Sequence, residues 1–320
     1  MAEGSRGEPW HSVALAEPRT SCARDGSLGG TSSDDAPPEC GLQPSDAERL
    51  HLAVTRLERL RPDLSARLGL TARQKTFLGT IAILGGSLEW LDPSAAMLAV
   101  QALLAFSFAL LLAIRLLAIW VALTPVKAPS PRPLHRCEDA LLPVYTVLVA
   151  LYDEAAVVPQ LVAALAAIDY PPGRLDIIVA LEAGDGETLA ALERTNLTVG
   201  MRTIVVPVGR PRTKPRALCY ALTYARGAFV VVYDAEDQPE PGQLREAVAA
   251  FAAGEGTIGC LQARLNIYNR RENWLTAQFA IEYTALFDAV LPAYARYRLP
   301  VPLGGTSNHF PGIRQQTHQM

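Results

Sequence analysis

Two hydrophobic patterns divide the chain. Between residues 76 and 124, apolar residues follow one another with few interruptions. From residue 143 onward, short runs rich in β-branched residues alternate with segments in which apolar residues recur every three or four positions. The short runs are typical of buried strands, and the spaced segments are typical of amphipathic helices. Because strand and helix alternate, this part predicts an α/β fold with a mostly parallel sheet and helices on both faces.

The apolar part predicts a transmembrane helical hairpin at 76–124. Its two stretches are separated by the turn signal Asp92-Pro93, and only the second, 95–123, reaches the about 20 residues that a span needs. Basic residues flank both outer ends and only acidic residues lie between, which favours a hairpin with both ends in the cytosol. The predicted location is therefore the inner (plasma) membrane, multi-pass, with a cytoplasmic catalytic domain. The alternative is one span, with the first stretch interfacial or buried.

Composition defines the remaining segments. The first 44 residues are rich in Gly, Ser, Pro and acidic residues and predict a disordered tail. Ser45 and Glu48 form a capping signal before a short helical pattern, which could pack on the main domain or dock on a partner. A proline-rich stretch then predicts a linker. The predicted segments are the tail 1–44, the small helical segment 45–75, the hairpin 76–124, the linker 125–142, the main domain 143–310 and an aberrant tail 311–320.

Charge and cysteine content exclude several classes of protein. Half of the residues are apolar and 19% are charged, which supports a membrane segment. The net charge of −3 gives no field that favours nucleic acid. The five cysteines are scattered without a C-x-x-C pair, so we expect free thiols rather than zinc or a disulfide framework.

Candidate chemistry lies where the predicted strands end. The strand Phe229–Tyr233 is followed by Asp234, Glu236 and Asp237. The carboxyl ends of parallel strands are the edge at which open α/β sheets bind ligands. Asp234 and Glu236 could hold one hard divalent cation there, with phosphate oxygens and water completing its shell. The alternative is a solvated acidic turn.

Other polar residues are predicted at the same edge. Tyr152 and Glu154 follow one strand, Asp185 follows the next, and the basic loop with Lys214 precedes the central strand. A metal beside a lysine would suit a diphosphate, so the chemistry indicates a nucleotide-diphosphate ligand.

Five blocks follow one another along the predicted domain, at residues 150–155, 182–188, 214–222, 234–241 and 304–310. Their order and spacing resemble the membrane-bound family 2 glycosyltransferases, including the cellulose-synthase-like group. By this resemblance the blocks are, in order, a first and a second nucleotide-binding segment, a lysine block, a metal-binding segment and an acceptor-side block. The match covers roughly residues 143–310, and the apolar stretches fit the membrane anchoring of that family. Any single block is a weak signal, whereas five in order are strong.

The resemblance implies a nucleotide-diphospho-sugar transferase (GT-A-like) fold and inverting transfer of a sugar to an acceptor at the cytosolic membrane face. It implies Mg²⁺ or Mn²⁺ as cofactor and a polysaccharide or lipid-linked acceptor, with polysaccharide synthesis as the expected process. The implied site residues are the donor contacts Tyr152, Glu154, Asp185, Lys214 and Asp234, the metal ligands Asp234 and Glu236, and the acceptor-side residues Thr306, Asn308 and His309.

Three departures from the family pattern stand out. Gly184 replaces the first of two adjacent aspartates, and Cys219 replaces an asparagine of the lysine block. The catalytic base of the family lies in a T-E-D segment that follows the block ending at Phe310, with a Q-x-x-R-W motif after it, and residues 311–320 resemble neither. We therefore expect a truncated form in which the general base is missing and transfer cannot be completed unaided.

Two other interpretations remain open. A nucleotidyltransferase could use the same sheet and metal, but it normally has a glycine-rich phosphate loop where this chain has Tyr152, Asp153 and Glu154. An inactive nucleotide-sugar-binding or structural membrane fragment is the second, because fold alone does not establish function.

Overall fold

The computed structural model describes residues 10–14, 45–65, 69–124, 139–254 and 256–312. Most of the predicted linker and the tail from residue 313 onward lie outside the described residues. The helices are α1 (Asp46–Leu60), α2 (Ala72–Leu91), α3 (Pro93–Leu123), α4 (Val158–Ala166), α5 (Gly186–Arg194), α6 (Lys214–Leu222), α7 (Gln243–Ala253), α8 (Trp274–Ala285) and α9 (Leu291–Arg296), with a π-helical turn, Leu286–Val290, between the last two.

One mixed sheet forms the centre of the domain, which confirms the predicted α/β class. Its strands lie in the order β1-β6-β7-β5-β2-β3-β4 within the described residues. The four strands β5, β2, β3 and β4 pair in parallel, whereas β7 is antiparallel to both β5 and β6. The strands are β1 (Trp10–Ala14), β2 (Tyr145–Leu151), β3 (Leu175–Glu182), β4 (Met201–Val206), β5 (Phe229–Tyr233), β6 (Ile258–Ala263) and β7 (Asn308–Pro311).

Apolar side chains cover the sheet on both faces, as the alternating pattern predicts. Residues of α4, α5 and α7 pack with one face of β2 and β3, and residues of α6 and α1 pack with the other. Alternate positions of β2 illustrate this, since Val147 and Val149 belong to the first core and Leu148 belongs to the second.

The predicted disorder of the first 44 residues needs one correction. Trp10–Ala14 form β1, which pairs antiparallel with β6. Pairing satisfies backbone groups of β6 that would otherwise need water, and local composition does not report such a long-range partner. The rest of that predicted tail lies outside the described residues.

The small helical segment packs on the main domain. Ser45 caps α1 in a capping box with Glu48, as predicted. The Arg49 guanidinium lies 4.1 Å from the centroid of the Tyr224 ring, and its Nη1 donates to the Thr223 carbonyl at 2.8 Å. Leu50 packs against the core beneath α6. These contacts favour packing over the alternative of a partner site.

The apolar stretches form two consecutive helices, α2 and α3, with a break at Asp92-Pro93. Asp92 caps α3, because its Oδ1 accepts hydrogen bonds from the amides of Ser94 and Ala95, each at 3.0 Å. Among the described residues, only α3 is long and apolar enough to cross a membrane by length and composition. The structure thus supports one candidate span, and the predicted second span at α2 stays a prediction.

A buried carboxylate at the opposite end of the sheet ties three strands together. Asp176 accepts hydrogen bonds from Thr146 Oγ1 at 3.0 Å, Arg202 Nε at 3.1 Å and Arg226 Nη2 at 2.9 Å. Burial raises the pKa of Asp176, but the hydrogen bonds from Arg226 and the charge of Arg202 outweigh it, so the pKa lies below its usual range. The network therefore requires the ionised carboxylate.

We expect Asp176→Asn to destabilise the full chain in detergent by about 2 kcal/mol at pH 7, because it removes hydrogen bonds to a charged group. Because its pKa is lowered in the folded state, Asp176 contributes stability above the unfolded pKa of about 3.9. This contribution is lost as the pH falls through the folded-state pKa. The difference between variant and wild type should therefore shrink at pH 3 in urea unfolding. Asp139→Asn, which affects an exposed pair with Arg245, is the matched control and should have little effect. An equal difference at both pH values would contradict the assignment.

Candidate active site

A cleft opens at the carboxyl ends of β2 and β3. Its volume is about 330 Å³. It contains two of the predicted donor residues, Tyr152 and Asp185, together with the basic loop before α6. The lining residues are Tyr152, Asp153, Ala183, Gly184, Asp185, Gly186, Glu187 and Arg212.

Asp185 holds the two strand-end loops together. Its Oδ2 accepts the Asp153 amide at 2.7 Å, and its Oδ1 accepts the Thr188 amide at 3.1 Å and caps α5. The Glu154 amide donates to Thr188 Oγ1 at 3.1 Å. Burial raises the pKa of Asp185, but these hydrogen bonds and the Arg212 charge outweigh it and lower the pKa. Asp185 therefore remains an anion in the cleft.

The backbone explains the departure at Gly184. This residue has φ of 93°, in the left-handed region that glycine adopts without strain. A Cβ at this position would meet no atom within 4 Å, so conformation rather than space favours glycine. The neighbouring loop bends in the same way at Asp153, with φ of 58°. Both turns direct the backbone around the cleft.

An aromatic ring and a guanidinium form one wall of the cleft. Tyr152 is 53% exposed, and Arg212 Cζ lies 4.1 Å from the centroid of its ring. Such stacking leaves a planar surface at the mouth of the cleft. Arg212 belongs to the basic loop before α6, and spacing along the sequence does not show which cation of that loop lies over the ring.

The acidic turn after β5 is organised by Asp237. The Asp234 amide donates to Asp237 Oδ2 at 2.8 Å and to Thr306 Oγ1 at 3.2 Å, and the Thr306 hydroxyl donates to the Asp237 carboxylate. Asp237 thereby fixes the turn and leaves Asp234 and Glu236 directed elsewhere. The Lys214 ammonium, in the first turn of α6, donates to Asp234 Oδ1. The structure thus brings together the predicted diphosphate contact and the predicted metal ligand.

Negative charge accumulates between the cleft and this turn. Burial raises the pKa of Glu154, and the charges of Glu236 and Asp185 raise it further, while Lys214 lowers it. Burial and the Glu236 charge also raise the pKa of Asp237. Glu154 Oε2 is buried and has no hydrogen-bond partner among the described residues. The positive charge of Lys214 therefore does not offset the burial and mutual repulsion of the Glu154 and Asp237 carboxylates.

This arrangement fits a divalent cation that the donor helps to hold. No group of three or more His, Cys, Asp or Glu side chains that could hold a metal ion exists within the described ranges. Mg²⁺ is commonly bound by one or two carboxylates with substrate phosphates and water, so a preformed cage is not required. The assignment of Asp234 and Glu236 as its ligands stays a prediction.

A buried ion pair occupies the end of β3. Arg216 Nη2 donates to Glu182 Oε2 at 2.5 Å, and Arg216 Nη1 donates to the Pro207 carbonyl at 3.1 Å. Both side chains are buried. Glu182 therefore anchors α6 to the sheet, and its strand-end position does not make it a ligand contact.

The three predicted acceptor-side residues separate into two groups. Thr306 reaches the acidic turn, and Asn308 Nδ2 donates to the Gly304 carbonyl at 2.6 Å. His309 is fully buried between the rings of Tyr145 and Tyr233, with its Nδ1 2.7 Å from the Tyr145 hydroxyl.

The prediction of an acceptor contact for His309 is therefore corrected. Burial lowers the pKa of His309 to about 3, so the ring is neutral at physiological pH. Its place on the central strand β7 directs it into the core, which the type of residue does not reveal. We assign His309 to the sheet core.

The two described cysteines are free thiols, as the sequence predicts. Cys219 is exposed on α6 and Cys260 is buried in β6. The remaining three, at positions 22, 40 and 137, lie outside the described residues.

Residues 143–309 match the family model "Glycosyltransferase like family 2", which covers about half of the 320-residue chain. The chain therefore belongs to the family 2 glycosyltransferases. This match spans the whole cleft and the acidic turn and confirms the predicted family and its enzyme class.

Curated relatives match over a similar region. A beta-monoglucosyldiacylglycerol synthase of Trichormus variabilis is 30% identical over 156 residues, which are 47% of this chain and 32% of the relative. The enzyme of the same name from Synechocystis sp. is also 30% identical over 156 residues, with 48% of this chain and 32% of the relative covered. The chain spans about a third of the length of the curated relatives that it matches.

Solved structures resemble the domain more distantly. The mannosyltransferase PcManGT from Pyrobaculum calidifontis, in complex with GDP-Man and Mn²⁺, is 26% identical with a TM-score of 0.41, over 55% of this chain and 48% of that one. The glucosyl-3-phosphoglycerate synthase of Mycobacterium tuberculosis, in complex with Mn²⁺, UDP and phosphoglyceric acid, is 18% identical with a TM-score of 0.34, over 54% and 57%. At these TM-scores the likeness carries no residue-by-residue correspondence.

Proposed function

We propose that this chain binds a nucleotide-diphosphate sugar together with Mg²⁺ or Mn²⁺ and serves the transfer of that sugar to a membrane-associated acceptor. One observation supports this most strongly. The Tyr152 ring, the Asp185 carboxylate and the Lys214–Asp234 pair converge at the carboxyl ends of β2, β3 and β5. Ligands of open α/β sheets bind at this edge.

The cleft fits the nucleoside half of the donor. A nucleobase would stack on the face of the Tyr152 ring that the Arg212 guanidinium does not cover. Asp185 is an anion at the floor of the cleft and would accept hydrogen bonds from ribose hydroxyls or from the base. Glu154, whose buried Oε2 has no hydrogen-bond partner within the described part of the chain, would also contact the nucleoside.

The acidic turn fits the diphosphate half. Asp234 and Glu236 would hold the divalent cation, which neutralises charge on the leaving diphosphate when it is bound. Lys214 would donate to the diphosphate oxygens, since its ammonium already lies beside Asp234. Asp237 and Thr306 would keep the turn in shape without touching the donor.

The reaction would be a direct displacement at the anomeric carbon with inversion. It needs a general base for the acceptor hydroxyl, and the family resemblance places that base after residue 310, outside the residues that line this site. We propose a lipid acceptor, because the curated relatives are named as synthases of glucosyldiacylglycerol and α3 can anchor the domain at a membrane. The polysaccharide acceptor inferred from the sequence is the second candidate.

Stacking on Tyr152 is tested by Tyr152→Ala, measured by calorimetric titration of UDP-glucose with Mn²⁺ into the full chain in detergent. We expect affinity to fall about 10- to 100-fold, because stacking of one base contributes about 1–3 kcal/mol. Tyr268→Ala removes another exposed ring, which lies outside the cleft, and should leave affinity unchanged.

Each other outcome has a distinct meaning. Equal affinity of Tyr152→Ala and wild type would contradict the nucleoside assignment.

Transfer of labelled glucose into the lipid extract of membranes that contain the chain would support the lipid acceptor, whereas label in water-soluble polymer would favour polysaccharide.

A further inference from the structure

The helix α8 exposes an apolar surface that the donor site does not use. None of its twelve residues is buried. Trp274 is 79% exposed and Ile281 is 63% exposed, and Leu275 and Phe279 are exposed as well. Trp274 and Ile281 are seven positions apart and therefore lie on one face of the helix, whereas Leu275 and Phe279 lie roughly 100–160° around it. Large apolar side chains that share one exposed surface commonly mark an interaction site. We call Trp274 and Ile281, together with Arg270 and Arg271, the α8 surface.

A groove with a basic end runs along this helix. Its volume is about 570 Å³. The guanidinium groups of Arg270 and Arg271 line it together with small and apolar side chains of α8. Neither arginine forms an ion pair within the described residues, so both charges are available. The groove is lined by Arg270, Arg271, Ala277, Ala280, Ile281, Thr284 and Ala285.

The α8 surface is continuous with the candidate membrane span. The π-helical turn Leu286–Val290 connects α8 to α9, and Ala293 of α9 packs against Ala118 and Val121 near the carboxyl end of α3. The side chains of α3 are otherwise largely exposed. If α3 lies in a bilayer, α8 ends at the same level as the carboxyl end of that span.

We propose that the α8 surface docks on the lipid bilayer beside α3. Trp274 and Ile281 enter the interfacial layer, and Arg270 and Arg271 bind the acidic phosphate headgroups of lipids. Tryptophan is enriched at membrane interfaces, and arginine side chains near a bilayer are attracted to anionic lipid headgroups. Continuity with α3 and the two unpaired guanidinium groups favour lipid over a protein partner, whose surface would need matching carboxylates.

The experiment places Trp274 alone in the full chain. Trp10→Phe, Trp90→Phe and Trp120→Phe remove the other three tryptophans. This variant is reconstituted in nanodiscs of neutral phosphatidylcholine or of a mixture with phosphatidylglycerol, each with and without brominated acyl chains. Emission of Trp274 is recorded, together with its quenching by water-soluble acrylamide.

We expect brominated lipid to quench Trp274 emission and acrylamide to quench it little, with stronger lipid quenching in the anionic discs. Adding R270Q/R271Q should reduce quenching in anionic discs to the level of neutral discs. The matched variant R56Q/R59Q removes two exposed arginines of α1 and should retain the full quenching.

Three results would overturn the proposal. Strong acrylamide quenching without lipid quenching would mean that α8 lies in water. Protection from both quenchers would mean that another protein surface, such as a second copy of this chain, covers α8. Equal lipid quenching in neutral and anionic discs would exclude headgroup binding by the two arginines. None of these results depends on donor binding, so they test this proposal separately from the proposed function.

Discussion

Asp234→Asn should abolish metal-dependent binding of a nucleotide sugar, with a loss of affinity of about two orders of magnitude, or about 2.7 kcal/mol. The substitution removes the carboxylate that pairs with Lys214 and that we assign to the divalent cation. A neutral amide is a weaker ligand for a hard cation than a carboxylate is. The measurement is calorimetric titration of UDP-glucose in the presence of Mn²⁺, with Asp63→Asn as the control, because Asp63 is an exposed carboxylate that pairs with Arg61 outside the cleft.

Lys214→Met should change the affinity for Mn²⁺ alone and the affinity for the donor in opposite directions. The substitution removes the ammonium group that pairs with Asp234, so Mn²⁺ alone should bind more tightly to the variant than to wild type. The same variant should bind the diphosphate donor more weakly, because a charge-assisted hydrogen bond is lost. Manganese electron paramagnetic resonance measures the first effect without any donor. Weaker binding of Mn²⁺ alone would contradict the assignment of Asp234 as its ligand.

Arg216→Leu should destabilise the domain by about 3–5 kcal/mol, because it leaves the buried Glu182 carboxylate without its partner. This pair anchors α6 to β3 and so positions Lys214 at the start of that helix. Urea unfolding of the full chain in detergent measures the loss. Arg245→Leu, which breaks a pair with the exposed Asp139, should cost far less.

The double substitution Glu182→Leu with Arg216→Leu tests whether the uncompensated charge of Glu182 causes this loss of stability. Replacing both members of a buried ion pair by apolar residues is often neutral, so the double variant should be more stable than Arg216→Leu alone. If the two variants were equally unstable, the lost hydrogen bond to the Pro207 carbonyl or lost packing would be the cause instead of the uncompensated charge.

The parallel half of the sheet was predictable from local patterns. Buried β-branched runs such as Phe229–Tyr233 and the helical spacing between them report their own structure. Polar residues directly after those runs were therefore placed at one edge, and the structure brings Tyr152, Asp185 and Asp234 to that edge. Capping signals such as Ser45 with Glu48 act within four residues and were readable for the same reason.

Features that depend on distant partners were not predictable. The β1 strand is defined by pairing with β6, about 250 residues away, and it lies within a segment of 44 residues whose overall composition resembles that of a disordered tail. The sequence predicts an acceptor contact at His309, and Glu182 begins the second predicted nucleotide-binding segment. Arg216 and Tyr145 satisfy them in the core, and no local pattern reports those partners.

The most direct test of the account is calorimetric titration of UDP-glucose and GDP-mannose into the wild-type full chain in detergent, with Mn²⁺ and after its removal by EDTA. We predict saturable binding of at least one of the two nucleotide sugars that requires Mn²⁺. A chain with an intact cooperative unfolding transition that binds neither sugar, with or without the metal, would contradict the assignment of this cleft as a donor site.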